Sequence, residues 1–166
     1  MEILKIAIEW AKAEVFSARF FIFFGLLFLT ASIGFWQLGK TEMAKSYIIP
    51  MLVCGGFLLA VGLGIFIANT SRVTSFAAAY EKDPKAFVKS EITRTEKSLG
   101  EYRTIVFKII PFMIVAAALL IFFVDKPGWR AAAITTIAML AVILMVDSNA
   151  KSRIEDYRSQ LEVFDQ

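Results

Sequence analysis

Hydrophobic residues are concentrated in four blocks that charged stretches separate. The blocks cover residues 20–36, 48–68, 106–124 and 131–146. A helix needs about 20 apolar residues to cross a hydrocarbon core of about 30 Å. Blocks two and three have that length, and neighbouring residues such as Ala18, Leu38 and Ala150 extend the other two. The pattern therefore predicts four transmembrane helices, called spans 1 to 4 below.

The charged stretches also carry apolar residues at the three- and four-residue steps that mark one face of a helix. These stretches are residues 1–19, 69–82, 84–105 and 147–166. The positions predicted to form the inner face of a bundle outside the membrane are Leu4, Ile8, Val15, Val88, Ile92, Leu99, Ile154, Tyr157 and Leu161. Asp83-Pro84 is typical of a helix N-cap followed by proline at the first helical position, so it predicts a break there.

Together these patterns predict an all-α protein: an integral membrane four-helix bundle, antiparallel in up-down-up-down order, in one domain over residues 1–166. Each helix is expected to continue from the membrane into the cytoplasm. One alternative is that the charged segments are amphipathic helices lying flat on the membrane. Their polar faces mix acids with bases, which favours projecting helices.

The distribution of positive charge predicts the orientation, because cytoplasmic loops are enriched in lysine and arginine. Thirteen of these residues flank the spans on the side of both termini and the middle loop, against four on the other side. Both termini are therefore expected in the cytoplasm, with the protein in the inner membrane. Span 1 begins after nineteen residues of mixed charge, which favours an uncleaved span over a signal peptide.

Small residues in span 2 predict a surface for close helix packing. Gly56, Ala60 and Gly64 follow one another at four-residue spacing. Because lipid provides no hydrophobic driving force for helix association, helices in membranes associate through close packing at such small-residue faces. We expect this face to pack within the protein, and a homodimer seam is the alternative.

Few charged residues lie near the spans. Lys108 stands two residues into span 3 and Asp147 directly follows span 4, so we expect an ion pair at the membrane interface. Pro111 in span 3 is expected to kink that helix, because proline lacks the backbone N–H of a regular turn.

Composition narrows the function further. The chain has no histidine and a single cysteine, Cys54, interpreted as a small apolar helix residue. Bis-histidine haem ligation is excluded, and no P-loop, dinucleotide fingerprint, HExxH, CxxC or GxSxG motif is present. We therefore expect no catalytic residue, metal or cofactor, and no nucleic-acid partner.

The favoured hypothesis is a non-catalytic membrane protein that acts through protein–protein interaction, as an accessory subunit, scaffold, regulator or immunity-type factor. Expected partners are another membrane protein or further copies of the chain, and anionic lipid headgroups on the cytoplasmic side. An oligomeric channel or small transporter is one alternative. A membrane enzyme acting on a lipid is the other, with its charged residues near Lys108, Asp147 and Arg72.

Overall fold

The computed structural model describes residues 2–165, with side chains over residues 2–164, and this part of the chain is helical almost throughout, with no strand. The elements are α1 (Glu2–Leu38), α2 (Glu42–Ser46), α3 (Ile48–Lys82), α4 (Pro84–Glu101), a π-helical segment (Tyr102–Ile109), α5 (Ile110–Phe123) and α6 (Pro127–Asp165). Four helices are long and apolar enough to cross a membrane: Glu2–Leu38, Glu42–Lys82, Pro84–Phe123 and Pro127–Phe164. The prediction of an all-α fold with four candidate spans is confirmed.

A capping residue separates α3 from α4. Asp83 has an extended backbone, with φ −158° and ψ 97°, and its carboxylate accepts a hydrogen bond from Ala86 N at 3.0 Å. Pro84 follows at the first helical position, where its missing N–H costs nothing. The structure thus places the break between α3 and α4 at this dipeptide. Thr41 caps the short α2 in the same way, accepting from Ala44 N at 3.1 Å.

The charged ends of all four long helices share one hydrophobic core, and we call this part of the protein the polar half. The core residues are Ile3, Ala7, Trp10, Ala11, Phe76, Phe87, Val88, Ile154, Tyr157 and Leu161. Leu4, Ile8, Ile92 and Leu99 are partly buried against it. The apolar stripes of the charged segments therefore pack against one another.

The inner face of α1 differs from the expected one. Leu4, Ile8 and Val15 are only partly buried, and the residues that face inward are Ile3, Ala7, Trp10, Glu14 and Phe21. Apolar residues occupy both faces of this segment, so periodicity alone did not select between them. The chosen face carries the aromatic and charged side chains that find partners on α4 and α6.

The second core lies among the spans, in the apolar half. It consists of Phe21, Phe28, Cys54, Leu58, Val142 and Val146, from α1, α3 and α6. The helix α5 contributes nothing to it, and in the described chain no Cα pair within 8 Å joins α5 to α1 or α3. Span 3 thus packs on span 4 alone, and a gap separates it from span 2.

Pro111 changes the helix in the expected region, but through a widened turn. The eight residues before α5 are π-helical, and Ile110 N–H donates to Ile105 O, five residues back. Proline at position 111 cannot donate to the carbonyl of Phe107, and its ring crowds that carbonyl in a regular turn. A π-helical turn relieves this conflict without breaking the helix.

Candidate functional site

A layer of charged residues crosses the polar half just beside the spans. It contains two carboxylates, Glu14 and Glu91, and three guanidinium groups, Arg72, Arg94 and Arg153. All four long helices contribute to it. Buried charges are stabilised only when they are paired and hydrogen-bonded, so the geometry of each pair matters.

Glu14 of α1 pairs with Arg153 of α6. Arg153 Nη2 donates to Glu14 Oε1 at 3.0 Å and to Ser17 Oγ at 2.7 Å, and its Nε donates to the same carboxylate oxygen at 3.2 Å. Burial raises the pKa of Glu14, although the positive charge of Arg153 opposes the shift. The desolvation of this carboxylate therefore outweighs the attraction of its partner.

Glu91 joins its own helix, α4, to α6. Arg94 holds the carboxylate from one side, with Nε 2.9 Å from Oε1 and Nη2 2.6 Å from Oε2. Tyr157 donates its hydroxyl to Oε2 from the other side at 2.9 Å. Burial, and then the negative charge of Glu91, raise the pKa of Tyr157, so the phenol stays protonated.

Trp10 brings α1 into this cluster through its ring. The Trp10 ring stacks on the Tyr157 ring, with centroids 5.2 Å apart. Arg94 makes a cation–π contact with the same ring, its guanidinium carbon lying 4.3 Å from the Trp10 ring centroid. Arg72 of α3 donates to the Asn69 side chain at 2.8 Å, and burial followed by repulsion from Arg94 lowers its pKa. The layer joins the four helices through these ion pairs, hydrogen bonds and ring contacts. The buried Trp10 Nε1 has no hydrogen-bond partner among the described residues, so Trp10 joins the layer through its ring alone.

A second feature is an apolar cleft of about 490 Å³ in the gap between α3 and α5, with α6 as its floor. The walls include Phe57, Val61, Ile110, Met113 and Met139. Its end beside the polar half is lined by Ser98, Glu101, Tyr102 and Asp147. The cleft is thus amphiphilic, with acidic and hydroxyl groups at one end and hydrocarbon along its length.

The ion pair expected between Lys108 and Asp147 does not form; no salt bridge in the described chain joins them. Val106 and Ile110 on either side of Lys108 are buried, so the lysine midway between them points outward and is exposed. Asp147 is partly buried and lines the cleft instead. Its carboxylate lies near Tyr102, whose pKa is raised by burial and then by this negative charge.

The face predicted for close packing points away from the protein. Gly56, Ala60 and Gly64 are exposed, and a Cβ built on either glycine meets nothing within 4 Å. The close contact is made by Gly55 and Gly62 of α3. A Cβ on Gly62 would lie 2.9 Å from the backbone nitrogen of Ile22 on α1.

Sequence reasoning missed Trp10, Glu14, Glu91, Arg94 and Arg153 as a cluster. Each of the four charged residues has an oppositely charged residue nearby in sequence, a pattern that is typical of a solvated helix face. One signal was available: Trp10, Glu14 and Phe21 follow one another at steps of four and seven, as on one helix face.

No protein-family model, no curated protein and no solved structure matches the chain. The class that the fold defines is an all-helical protein with four candidate membrane-spanning helices, consistent with a multi-pass membrane protein.

Proposed function

We propose that this chain is a non-catalytic protein of the cytoplasmic membrane that acts by binding a transmembrane helix of another membrane protein. Roles of this kind are those of an accessory subunit, scaffold, regulator or immunity-type factor. The observation that carries the proposal is the exposed stripe of Gly56, Ala60 and Gly64 on α3.

The argument rests on two sets of small residues on one helix. Gly55 and Gly62 are buried against α1, where any side chain would strike backbone atoms. That set accounts for the close approach of α3 to α1. The outward stripe is not used by that packing, yet it has the four-residue repeat that lets two helix backbones approach in lipid.

A small-residue stripe favours a helical partner over lipid chains alone. Lipid gives no hydrophobic advantage to helix association, so contact depends on close van der Waals packing between backbones. Larger exposed residues on the same helix, such as Leu52 at 54% and Phe57 at 51% exposure, lie beside the stripe and are suited to flank a bound helix. We propose a helix of a different protein as the partner, with a second copy of this chain as the competing outcome.

We further infer an antiparallel bundle with its polar half in the cytoplasm. Ser32 near the end of span 1 donates to the carbonyl of Ile48 at the start of span 2 at 2.7 Å, which supports opposite directions for α1 and α3. The excess of lysine and arginine on the side of the polar half supports a cytoplasmic location. Trp36 and Trp129 at the opposite end are 71% and 57% exposed, as expected of rings at the outer headgroup layer.

The test substitutes Gly56 and Gly64 with isoleucine and compares the variant with a matched one, Ala118→Ile plus Ala141→Ile, at exposed small residues of α5 and α6. A photo-crosslinking amino acid at Leu63, beside the stripe and common to all samples, captures any neighbouring helix in native membranes. We expect the yield of one specific crosslink to a different protein to be about tenfold lower in the stripe variant. A tenfold change corresponds to about 1.4 kcal/mol of binding free energy. The matched variant should retain it.

Two results would overturn the proposal. Equal crosslinking in both variants would show that the stripe does not bind the partner. Crosslinks only between copies of this chain would assign the stripe to a homodimer. Circular dichroism and gel filtration check that both variants fold, which is expected because a Cβ at Gly56 or Gly64 meets open space and Ala118 and Ala141 are exposed.

A further inference from the structure

The cleft between α3 and α5 is an opening between two spans, which distinguishes it from the packed core beside it. Span 3 contacts α6 and leaves α1 and α3 uncontacted in the described chain. Of the residues of α5, only Ile110 is buried. Lipid chains therefore have direct access to the gap from the side.

The two ends of the cleft have different chemistry. Hydrocarbon lines the part between the spans, where the walls include Val61, Ile110 and Met139. At the other end stand the carboxyl groups of Glu101 and Asp147 with the hydroxyls of Ser98 and Tyr102. No lysine or arginine lies among the lining residues that the structure describes.

We propose that the cleft binds a phospholipid with an ammonium headgroup, phosphatidylethanolamine, from the leaflet beside the polar half. One acyl chain lies between α3 and α5, and the ammonium group is held near Asp147 and Glu101. The hydroxyl groups of Tyr102 and Ser98 are placed to donate to its phosphate. The volume of about 490 Å³ falls within the range of small-ligand sites, roughly 300–1,000 Å³.

Charge complementarity selects this occupant over others. An ammonium group donates three charge-assisted hydrogen bonds to carboxylates. The headgroup of phosphatidylglycerol carries only negative charge, so the two carboxylates repel it. Asp147 also has no salt-bridge partner among the described residues, which leaves its carboxylate free to accept from a ligand. The lysine-rich surfaces outside the cleft remain the sites where anionic lipid is expected.

The first experiment measures which lipid stays bound. Purified protein is exchanged into nanodiscs with equal phosphatidylethanolamine and phosphatidylglycerol, then extracted in mild detergent for native mass spectrometry. We expect retained phosphatidylethanolamine to exceed phosphatidylglycerol about tenfold, the scale of one hydrogen bond to a charged group. Asp147→Asn plus Glu101→Gln should bring the ratio near one. The matched variant, Glu2→Gln plus Asp156→Asn, removes two exposed carboxylates elsewhere and should leave the ratio unchanged.

A second comparison fills the cleft. Val61→Phe places a larger side chain in the wall, and Leu63→Phe makes a similar change on the exposed side of the same helix. The first variant should lose the bound lipid, and the second should keep it. Retention of lipid by both variants would overturn the assignment, as would a preference for phosphatidylglycerol in the unaltered protein.

The unaltered protein gives an independent test if a variant fails to fold. Phosphatidylethanolamine with a photoactivatable acyl chain should label Met113 or Met139, which line the cleft, in preference to Phe112, which is 73% exposed on the same helix as Met113. Labelling spread evenly over exposed residues would indicate bulk lipid only. Occupation by a protein helix would keep the photoactivatable lipid out of the cleft, so an absence of label at both Met113 and Met139 would also contradict the proposal.

Discussion

Gly25 of α1 and Gly55 of α3 lie backbone against backbone. A Cβ on Gly25 would stand 3.0 Å from the carbonyl oxygen of Gly55 and 2.8 Å from the backbone nitrogen of Leu59. These neighbours are main-chain atoms, which cannot rotate away as a side chain can. The tight pairing of the first two spans therefore depends on the absence of side chains at this crossing.

Substituting Gly55 should destabilise the protein, and the same change one residue later should not. A methyl group at Gly55 meets Gly25 O and Leu29 N at 2.9 Å, so Gly55→Ala should lower the free energy of unfolding by about 1–3 kcal/mol, as overpacking does. Gly56→Ala meets open space and serves as the control. Unfolding in mixed detergent micelles, followed by circular dichroism, measures both. Equal stability of the two variants would contradict the packing described here.

Tyr157→Phe should isolate the hydrogen bond to Glu91. The ring and its stacking on Trp10 remain, while the buried carboxylate loses a donor at 2.9 Å. We expect a loss of about 1–3 kcal/mol in the free energy of unfolding, because a buried acceptor is left partly unsatisfied. Tyr47→Phe is the control, since the Tyr47 ring stacks on Phe35 at the other end of the helices. A larger effect at Tyr47 would argue against the network.

Arg153→Met should be more damaging than Glu14→Gln. Removing the arginine leaves a buried carboxylate without its charge partner, which costs about 3–5 kcal/mol in buried pairs. The lower end of that range applies, because the Arg153 side chain is 29% exposed. Glutamine at position 14 still accepts hydrogen bonds from Arg153 and avoids the desolvation of a carboxylate. Chemical unfolding of the two variants checks the order, and the reverse order would refute it.

The same pair predicts a pH dependence. Because burial raises the pKa of Glu14, the folded chain binds this proton more tightly than the unfolded chain. The contribution of Glu14 to stability is therefore present below the ordinary glutamate pKa, about 4.3, and is lost as pH rises through the higher folded pKa. The difference in unfolding free energy between wild type and Glu14→Gln should follow this course between pH 4 and pH 8. A difference that grows in favour of wild type as pH rises would contradict the sign.

Sequence patterns predicted the helical class, the four candidate spans and the capping at Asp83 because these depend on neighbouring residues. Length and hydropathy define a span, and a cap needs only the next three residues. The inward face of α1 was different: Glu14 is buried because Arg153, 139 positions later in the chain, reaches it. Sequence alone predicts that a charged helix residue is exposed to solvent, because a partner far away in the chain cannot be identified from local spacing.

The small-residue face shows the same limit. Gly56, Ala60 and Gly64 repeat every four residues, whereas the residues that contact α1, Gly55 and Gly62, are seven apart. Residues four apart and residues seven apart each share one face of a helix, so spacing alone does not decide which set of small residues contacts α1. The choice depends on where Gly25 stands on the neighbouring helix, which is a property of the assembled pair.

Orientation can be measured with single cysteines, because the chain has only one, Cys54, and it is buried. In a Cys54→Ala background, Thr41→Cys lies at the exposed turn before α2, and Ser152→Cys lies at an exposed position of the polar half. If the polar half is cytoplasmic, a membrane-impermeant maleimide added to intact cells should label the cysteine at position 41. The cysteine at position 152 should react only after the membrane is permeabilised. Both sites are exposed in the fold, so a difference in labelling reports the membrane barrier and not burial in the protein. Labelling of position 152 in intact cells, with position 41 protected, would reverse the topology inferred from lysine and arginine, since the helix connections fix both sites relative to each other.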